Sequence, residues 1–435
     1  MIPAPRLLWL TLGLALAGLP LPFIGFSAAL WVWAALAAAL LGLTVFDAIS
    51  LRRMPAIEVT RHALPAWSQG HSQTIKLRVR GSVRPVQLAL FDHYPQDCVT
   101  QGLPLQLTLR PGGWAEHTYQ IKAARRGDHV FGQVELRTRS RLALFERRQF
   151  AGSAQTVRVY PDYASVAGYA LLATDQRLNR LGIVRRRQRG EGTDFHQLRE
   201  YRDGDSMRAV DWKATARSGR LVSRDYQEER DQQVVILLDC GRRMQAQDDT
   251  QSHFDHALNA AILLAWVALR QGDAVGLHTF AGPERWLAPM KTSASLNRIL
   301  NGVYDLEPGL QTSDYLEAAQ ALNGRLRKRA LVVMLTNLRD EDSDTLLPAL
   351  QLLRQRHRVM VASLRETALD ALAATPVHAF RDALRYSTAQ DYLRQRYETF
   401  ARLRVHGTDA LDVAPGQLAR RVVNHYLALK KAGRL

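Results

Sequence analysis

Carboxylates are the side chains of this sequence that come closest to an acid–base pattern. Glu200, Asp205 and Asp211 lie in a block of alternating charges from Gly190 to Glu229, and closely spaced carboxylates can act as general acid and base. The block supplies no nucleophile and no second carboxylate with a clear role. The simpler interpretation is a network of ion pairs and helix caps that fixes an irregular segment against the next domain.

Motifs of the common enzyme classes are absent. The sequence contains no G-x-x-x-x-G-K-[ST], no G-x-S-x-G and no H-E-x-x-H. His253 and His256 form the only helical histidine pair, which is more typical of a surface than of a metal site. Cys98 and Cys240 are too few for a disulfide scaffold and follow no zinc spacing. The sequence therefore predicts no catalysis, no metal and no cofactor.

Length and composition predict a folded chain of two or three domains. It has 435 residues, of which 47% are hydrophobic and 23% charged. The net charge of +17 favours contact with an anionic membrane surface. No stacking motif or recognition-helix pattern accompanies the charge, so nucleic-acid binding is not expected.

The N-terminal residues 1–53 predict a transmembrane hairpin. The run from Leu7 to Phe46 contains no Asp, Glu, Lys or Arg, and this run is long enough for two spans. We place the spans at 7–19 with the next few residues and at 28–46, with Pro20 and Pro22 in the break. A secretory signal peptide at residues 1–29 is the alternative, but the second apolar run follows too closely.

Flanking charges predict the orientation of this hairpin. Arg6 precedes the first span, Arg52 and Arg53 follow the second, and the turn carries no charge. The positive-inside rule then places both termini and all later domains in the cytoplasm.

Residues 54–165 predict an antiparallel β-sandwich. Ile75, Leu77 and Val79 alternate with charged residues, and similar alternation recurs at about ten-residue intervals. We interpret this domain as a structural or docking module. Residues 166–229 then form a basic connector, with an arginine run at 185–189 that could contact lipid or a partner, followed by the charged block.

Residues 230–435 predict an α/β domain with a doubly wound sheet. Apolar strands are expected at 234–239, 274–280, 330–336 and 359–364, with a buried helix at 254–269 and further helices between the strands. Ligands of such sheets bind at the carboxyl ends of the strands.

The charged block contains a long pattern of glycine, aromatic and charged residues. Its members are Gly192, Phe195, Arg199, Glu200, Tyr201, Gly204, Asp205, Arg208, Asp211, Trp212, Lys213 and Arg217. This pattern resembles the signature of the domain of unknown function 58 family. The resemblance implies a bacterial inner-membrane protein with a degenerate von Willebrand factor type A-like domain, and partnership with a MoxR-type AAA+ ATPase.

The resemblance also identifies a degenerate metal site. Metal-binding A domains carry Asp-x-Ser-x-Ser after the first strand, a Thr in a second loop and an Asp in a third. Here the corresponding residues are Asp239, Gly241, Arg243, Thr312 and Asn337. Two hydroxyls and one carboxylate are missing, and the Arg243 cation opposes metal binding. We expect Asp239 to hydrogen-bond its loop, pairing with Arg242 or Arg243, and Cys240 to be a small core residue.

The expected function is therefore that of a non-enzymatic inner-membrane adaptor. The five residues of the degenerate site are the candidate partner-binding residues. Membrane lipids would be contacted through the hairpin and the basic surface. Two alternatives stay open: a divalent-metal-dependent, ligand-binding A domain, and an enzyme acting on envelope components through the charged block.

Overall fold

The computed structural model describes residues 1–20, 27–81, 85–162, 194–202, 207–227, 232–248, 251–292 and 294–435. The chain divides into two units, Met1–Tyr160 and Pro161–Leu435. The arginine run at 185–189 lies outside the described residues.

Two apolar helices belong to the first unit: Pro5–Gly18 (α1) and Ser27–Arg52 (α2). The part of α2 from Ala29 to Arg52 includes an 18-residue window with a mean hydropathy of 2.1 and no buried residue, while Asp47 and Leu51 near its end are buried. Its 24 residues span about 36 Å, enough to cross a membrane. The Trp33 indole donates to the Leu14 carbonyl at 2.9 Å, so the two helices touch. The prediction of an apolar span is thus confirmed for α2, whereas the two-span hairpin stays a prediction.

Twelve short strands form the rest of the first unit as described. They are Ile2–Pro3 (β1), Glu58–His62 (β2), Ala66–Ser68 (β3), Ser72–Arg80 (β4), Val86–Asp92 (β5), Cys98–Gln101 (β6), Leu105–Leu109 (β7), Trp114–Ala123 (β8), Gly127–Phe131 (β9), Val134–Arg139 (β10), Phe145–Ala151 (β11) and Gln155–Tyr160 (β12). The sheet orders are β1-β11-β10-β5-β7, β2-β4-β8-β6 and β3-β12-β9. All pairs are antiparallel except β3 with β12.

Buried side chains alternate with exposed ones along these strands, and the buried ones form one hydrophobic core. Ile75, Leu77 and Val79 of β4 are buried while their neighbours are exposed or half-exposed, because successive side chains of a strand point to opposite faces. They pack in one cluster with Leu90 of β5 and Leu136 of β10, which belong to the other large sheet. The predicted antiparallel sheets are confirmed.

The first elements described in the second unit are a hairpin of Asp194–Glu200 (β13) and Val222–Gln227 (β14), which flank the short helix Trp212–Ser218 (α3). The strands that follow are Gln233–Asp239 (β15), Gln247–Asp248 (β16), Gln251–Ser252 (β17), Ala274–Phe280 (β18), Trp286–Met290 (β19), Leu331–Thr336 (β20), Arg358–Leu364 (β21) and Asp409–Val413 (β22). The helices are His253–Arg270 (α4), Ser295–Val303 (α5), Tyr315–Arg325 (α6), Ser343–Arg354 (α7), Thr367–Ala374 (α8), Phe380–Val405 (α9) and Leu418–Lys431 (α10).

A mixed six-stranded sheet with the order β19-β18-β15-β20-β21-β22 is the centre of this unit. All its pairs are parallel except the edge strand β19. Alternate residues of β15 face opposite layers: Ile236 packs with α4 and α10, and Leu237 packs with α6 and α7. The predicted α/β sheet is confirmed, and the strand order is that of doubly wound nucleotide-binding folds.

Helices leave this sheet on opposite faces after β15 and β20. The helix α4 belongs to the layer with Ile236, and α7 to the layer with Leu237. A crevice therefore opens between the carboxyl ends of β15 and β20, which is where such sheets bind their ligands.

Candidate functional site

Asp239 ends β15 at this crevice and is 1% exposed. Three donors surround its carboxylate. The Gly241 amide donates to Oδ1 at 2.8 Å, and the Thr336 hydroxyl donates to Oδ2 at 2.6 Å. The Ser313 hydroxyl lies 2.8 Å from Oδ1 and 2.9 Å from Oδ2. The carboxylate thus joins the loops after β15, before α6 and at the end of β20.

Tyr315 extends this network into the core. Its hydroxyl lies 2.9 Å from the Thr336 hydroxyl, and because the latter donates to Asp239, the tyrosine is the donor. Burial raises the pKa of Asp239 above its usual value, although the hydrogen bonds from Thr336, Gly241 and Ser313 oppose the shift. Burial likewise raises the pKa of Tyr315, and the nearby Asp239 carboxylate adds to that shift.

The hydroxyl that reaches Asp239 comes from Ser313 and not from Thr312. Thr312 is exposed, whereas Ser313 directly precedes the cap residue Asp314 of α6 and donates inward. Thr312 was the predicted counterpart of the family threonine. A shift of one residue in a loop exchanges an inward side chain for an outward one, and no spacing rule fixes that register.

Gly241 lies against Asp239 and Ser313. A Cβ at this position would lie 2.5 Å from Ser313 Oγ, 3.0 Å from Asp239 Oδ1 and 3.1 Å from the Gln311 carbonyl. The loop therefore needs a glycine here for space rather than for an unusual backbone angle.

We expect Gly241→Ala to destabilise the second unit by about 1–3 kcal/mol, because it overpacks the Asp239 network. Gly309→Ala is the matched control, since a Cβ there meets its nearest atom only at 3.7 Å. Thermal unfolding of the full chain in detergent micelles provides the measurement. Equal melting temperatures for both variants would contradict this packing argument.

Arg243 turns away from Asp239 and pairs with two other acids. Its guanidinium contacts the carboxylates of Glu341 and Asp342. Burial alone would lower the pKa of Arg243, but the charge of Asp342 raises it above its usual value. The expected pairing of Asp239 with Arg242 or Arg243 is therefore wrong. Asp239 is satisfied by neutral donors, and the acids after β20 are the partners of Arg243.

Asn337 belongs to a second buried network beside the first. Its amide lies 3.3 Å from His253 Nδ1 and 3.2 Å from Glu366 Oε1. The other nitrogen of His253 lies 2.8 Å from Asp248 Oδ2, and the Thr367 hydroxyl donates to Asp248 Oδ1 at 2.7 Å. The prediction that His253 is a surface residue is wrong, because this network buries it completely.

The five candidate residues therefore divide between four places. Asp239 and Gly241 share one network, Arg243 joins the acids after β20, Asn337 joins His253, and Thr312 faces outward. Sequence reasoning missed Ser313, Thr336 and Tyr315. The sequence places Thr336 at the carboxyl end of an apolar strand, a position that could have marked it as a site residue.

This donor set does not suit a divalent cation. Magnesium takes oxygen ligands in octahedral geometry, but Asp239 already accepts from three protein donors and Gly241 has no side-chain oxygen. Within the described residues, no three His, Cys, Asp or Glu side chains converge as a metal site would require.

The carboxylates of the charged block act as a cap and as ion-pair partners. Asp211 Oδ1 accepts from the amides of Lys213 and Ala214 at 3.0 Å, which caps α3, and its Oδ2 accepts from Arg224 at 2.9 Å. The amide of Ala214 and the side chain of Arg224 lower the pKa of Asp211. Glu200 pairs with Arg220 at 2.9 Å, with both side chains exposed. This geometry fits the structural interpretation of the block.

The remaining signature residues are distributed along the same hairpin. Phe195 lies in β13 beside a bulge, and the Tyr201 amide donates to the Leu221 carbonyl. Trp212, Lys213 and Arg217 lie on α3 and are exposed. Arg199 lies in β13, and Arg208 lies in the short turn Met207–Ala209. Gly192, Gly204 and Asp205 lie outside the described residues.

An apolar helix of membrane-spanning length, several antiparallel sheets and a mixed α/β sheet thus define a multidomain protein. Residues 197–406 match the sequence model of the family described as "Protein of unknown function DUF58". The family resemblance of the charged block is confirmed over these residues, which contain β14 to β21 and all of α9.

A relative from Bacillus subtilis (strain 168), "Uncharacterized protein YeaD", is 25% identical over 182 residues. The match covers 40% of this chain and 41% of the relative, so this chain spans less than half of it. An aerotolerance-related membrane protein from Bacteroides fragilis is 18% identical, with a TM-score of 0.28 over 45% of this chain and 98% of that one. The pilus adhesin SpaC from Lactobacillus rhamnosus GG is 9% identical, with a TM-score of 0.31 over 47% and 30%. Scores of this size do not identify a fold.

Proposed function

We propose that this protein is a non-enzymatic adaptor of the bacterial inner membrane. Its two apolar helices cross the membrane as a hairpin, both units lie in the cytoplasm, and a protein partner binds at the carboxyl-end face of the six-stranded sheet. The loop 308–313 on that face is the observation that carries the proposal, because it presents an exposed apolar side chain on a fixed backbone.

Hydrogen bonds hold this loop at several points. The Gly309 amide donates to the Cys240 carbonyl at 2.7 Å, and the Arg242 amide donates to the Gln311 carbonyl at 2.9 Å. The Gln245 side chain donates to the carbonyls of Pro308 and Gly309 at 3.0 and 3.1 Å. A surface that is already ordered loses little conformational entropy when it binds.

Leu310 projects from this fixed loop with 81% of its surface exposed. The carbonyl of the neighbouring Gln311 accepts from the Arg242 amide, and the next residue, Arg243, pairs with Glu341. Protein interfaces combine an apolar core with a polar rim, and Leu310 supplies an exposed apolar group on this face. The engaged carboxylate of Asp239 supports binding rather than chemistry as the role of this face.

The arrangement of both helix ends supports a hairpin. Strand β1, just before α1, pairs with β11 through Ile2 with Glu146 and Pro3 with Phe145. The end of α2 contacts the same edge, because Asp47 accepts from Ser140, Leu142 and Leu144. Two helices that begin and end on one edge of one sheet place both ends on the same side of a membrane. Arg6, Arg52 and Arg53 then favour the cytoplasmic side.

A cytosolic AAA+ ATPase of the MoxR type is the partner that we propose. The match of residues 197–406 to the DUF58 family supports it, because the resemblance of the signature block implies that association. The adaptor would present client proteins to the ATPase at the membrane or respond to remodelling by it.

We expect Leu310→Asp to abolish partner recovery while changing stability by no more than about 0.5 kcal/mol, since the side chain is exposed. Leu64→Asp is the matched control, because Leu64 is an exposed leucine of the first unit. The measurement is affinity purification from crosslinked membranes with and without ATP. Nucleotide-dependent recovery of an AAA+ ATPase with the wild type and the control, but not with Leu310→Asp, supports the proposal. Equal recovery with all three proteins contradicts it.

A further inference from the structure

We propose that Arg6, Arg52, Arg53 and Arg141 form a binding site for the phosphate of an anionic phospholipid. The site lies where both apolar helices join the first β-sheet unit. This inference rests on the proposed membrane anchor and adds a defined ligand and a defined set of residues to it.

Three separate segments of the chain bring these arginines to one place. The segment before α1 is bonded to the β10–β11 turn, since the Ala4 amide donates to the Leu144 carbonyl at 2.8 Å. Arg6 follows Ala4 by two residues, in the first turn of α1. The first cation is therefore placed beside the turn that carries Arg141.

The end of α2 is bonded to the same turn. Asp47 accepts from the Ser140 hydroxyl at 2.5 Å and from the Leu142 amide at 2.9 Å, and these two donors flank Arg141 in the sequence. One turn of helix further on, Arg147 donates to the carbonyls of Leu51 and Met54 at 3.4 and 3.0 Å. Arg52 and Arg53 lie between Leu51 and Met54 in the sequence.

The acids of this region are already engaged elsewhere. Asp47 is fully buried among donors of the turn, and Glu146 pairs with Arg139 at 3.0 Å. Arg6, Arg52, Arg53 and Arg141 are all exposed, and none of them pairs with an acid among the residues that the structure describes. Four uncompensated guanidinium groups attract a phosphate, which they can bind in a bidentate manner.

Apolar side chains beside these cations can contact the acyl chains of a phospholipid. Phe46 and Ile49 of α2 are exposed, and so is Leu142, next to Arg141 in the turn. A soluble phosphate would gain nothing from these side chains, whereas a lipid places its acyl chains along α2 while its headgroup meets the arginines. The two kinds of surface together favour a phospholipid over a free anion.

The test is native mass spectrometry of the full chain in detergent micelles with added phosphatidylglycerol or phosphatidylcholine. The wild type is expected to retain phosphatidylglycerol preferentially. Arg141→Gln should weaken that retention about fivefold, and the double variant with Arg53→Gln should weaken it about 25-fold in total. Each arginine removed lowers the attraction to the anionic lipid by a similar factor. Arg6 and Arg52 stay in place to preserve the orienting charge. Arg327→Gln, an exposed arginine of the second unit, is the control and should change nothing.

Three results would overturn the lipid site. They are equal retention of both lipids by the wild type, equal behaviour of Arg141→Gln and Arg327→Gln, and displacement of the lipid by inorganic phosphate, which would assign a free anion. Alkaline carbonate extraction of native membranes separates this inference from the anchor itself. If the chain stays in the membrane without preferring phosphatidylglycerol, only the lipid site fails. If the chain is extracted, the proposed anchor fails.

Discussion

Asp239→Ala is expected to destabilise the second unit by about 3–5 kcal/mol. The substitution leaves the Gly241 amide and the hydroxyls of Ser313 and Thr336 without their acceptor inside the protein, and each buried unsatisfied group costs about 1–3 kcal/mol. Hydrogen exchange of the β15 and β20 amides in the full chain measures this effect. Exchange should accelerate throughout both strands, because they flank the lost carboxylate.

Asp239→Asn is the matched variant, and we expect it to cost no more than about 1 kcal/mol at neutral pH. The amide oxygen still accepts, the hydroxyls of Ser313 and Thr336 can reorient, and the cost of burying a charge disappears. If the asparagine variant is as unstable as the alanine variant, the carboxylate charge itself is needed. That result would contradict the hydrogen-bonding role.

The same pair of proteins has a predicted pH signature. Burial raises the folded-state pKa of Asp239 above its unfolded value, so the unfolded chain releases this proton first as the pH rises. The wild type should therefore lose stability from about pH 3.9, the usual value of an aspartate, up to the raised folded value. Asp239→Asn should lack this component of the pH dependence, so the stability difference between the two proteins isolates it.

Asp47→Leu is expected to detach α2 from the first unit. Asp47 is fully buried and is the shared acceptor for the Ser140 hydroxyl and the amides of Leu142 and Leu144. Loss of these bonds should cost about 2–4 kcal/mol and accelerate exchange of the two leucine amides by about 100-fold. Hydrogen exchange of the full chain in micelles is the measurement.

Thr44→Val is the control for that experiment. The Thr44 hydroxyl is exposed and bonds only to the Leu41 carbonyl of its own helix, so its loss should leave the turn protected. Unchanged protection of Leu142 and Leu144 in Asp47→Leu would show that packing alone holds α2 in place.

Local patterns in the sequence predicted the elements that are most regular. The strands β15, β18, β20 and β21 are buried on both faces, so each reads as a continuous apolar run. Strands β4, β5, β7 and β12 have one buried and one partly solvated face and read as alternation. The edge strand β19 and the last strand β22 are short and carry no such pattern, so neither was predicted.

Contacts between distant segments could not be read from the sequence. Asp47 carries no local signal of its role in the sequence, because the groups that donate to it lie 93 to 97 residues further along the chain. Arg243 was assigned to the wrong acid because Asp342 lies 99 residues further along. The cap at Asp211 was easier to predict from the sequence, because an aspartate before a short helical segment that ends at a glycine is a local signal.

Photocrosslinking from position 310 in intact membranes is the most direct test of partner binding at the carboxyl-end face of the six-stranded sheet. A photoreactive amino acid replaces Leu310 in one protein and Leu64 in the control, and crosslinked proteins are identified with and without ATP. We expect a nucleotide-dependent adduct with an AAA+ ATPase from position 310 only. No adduct at position 310, or the same adducts from both positions, would contradict partner binding at the carboxyl-end face.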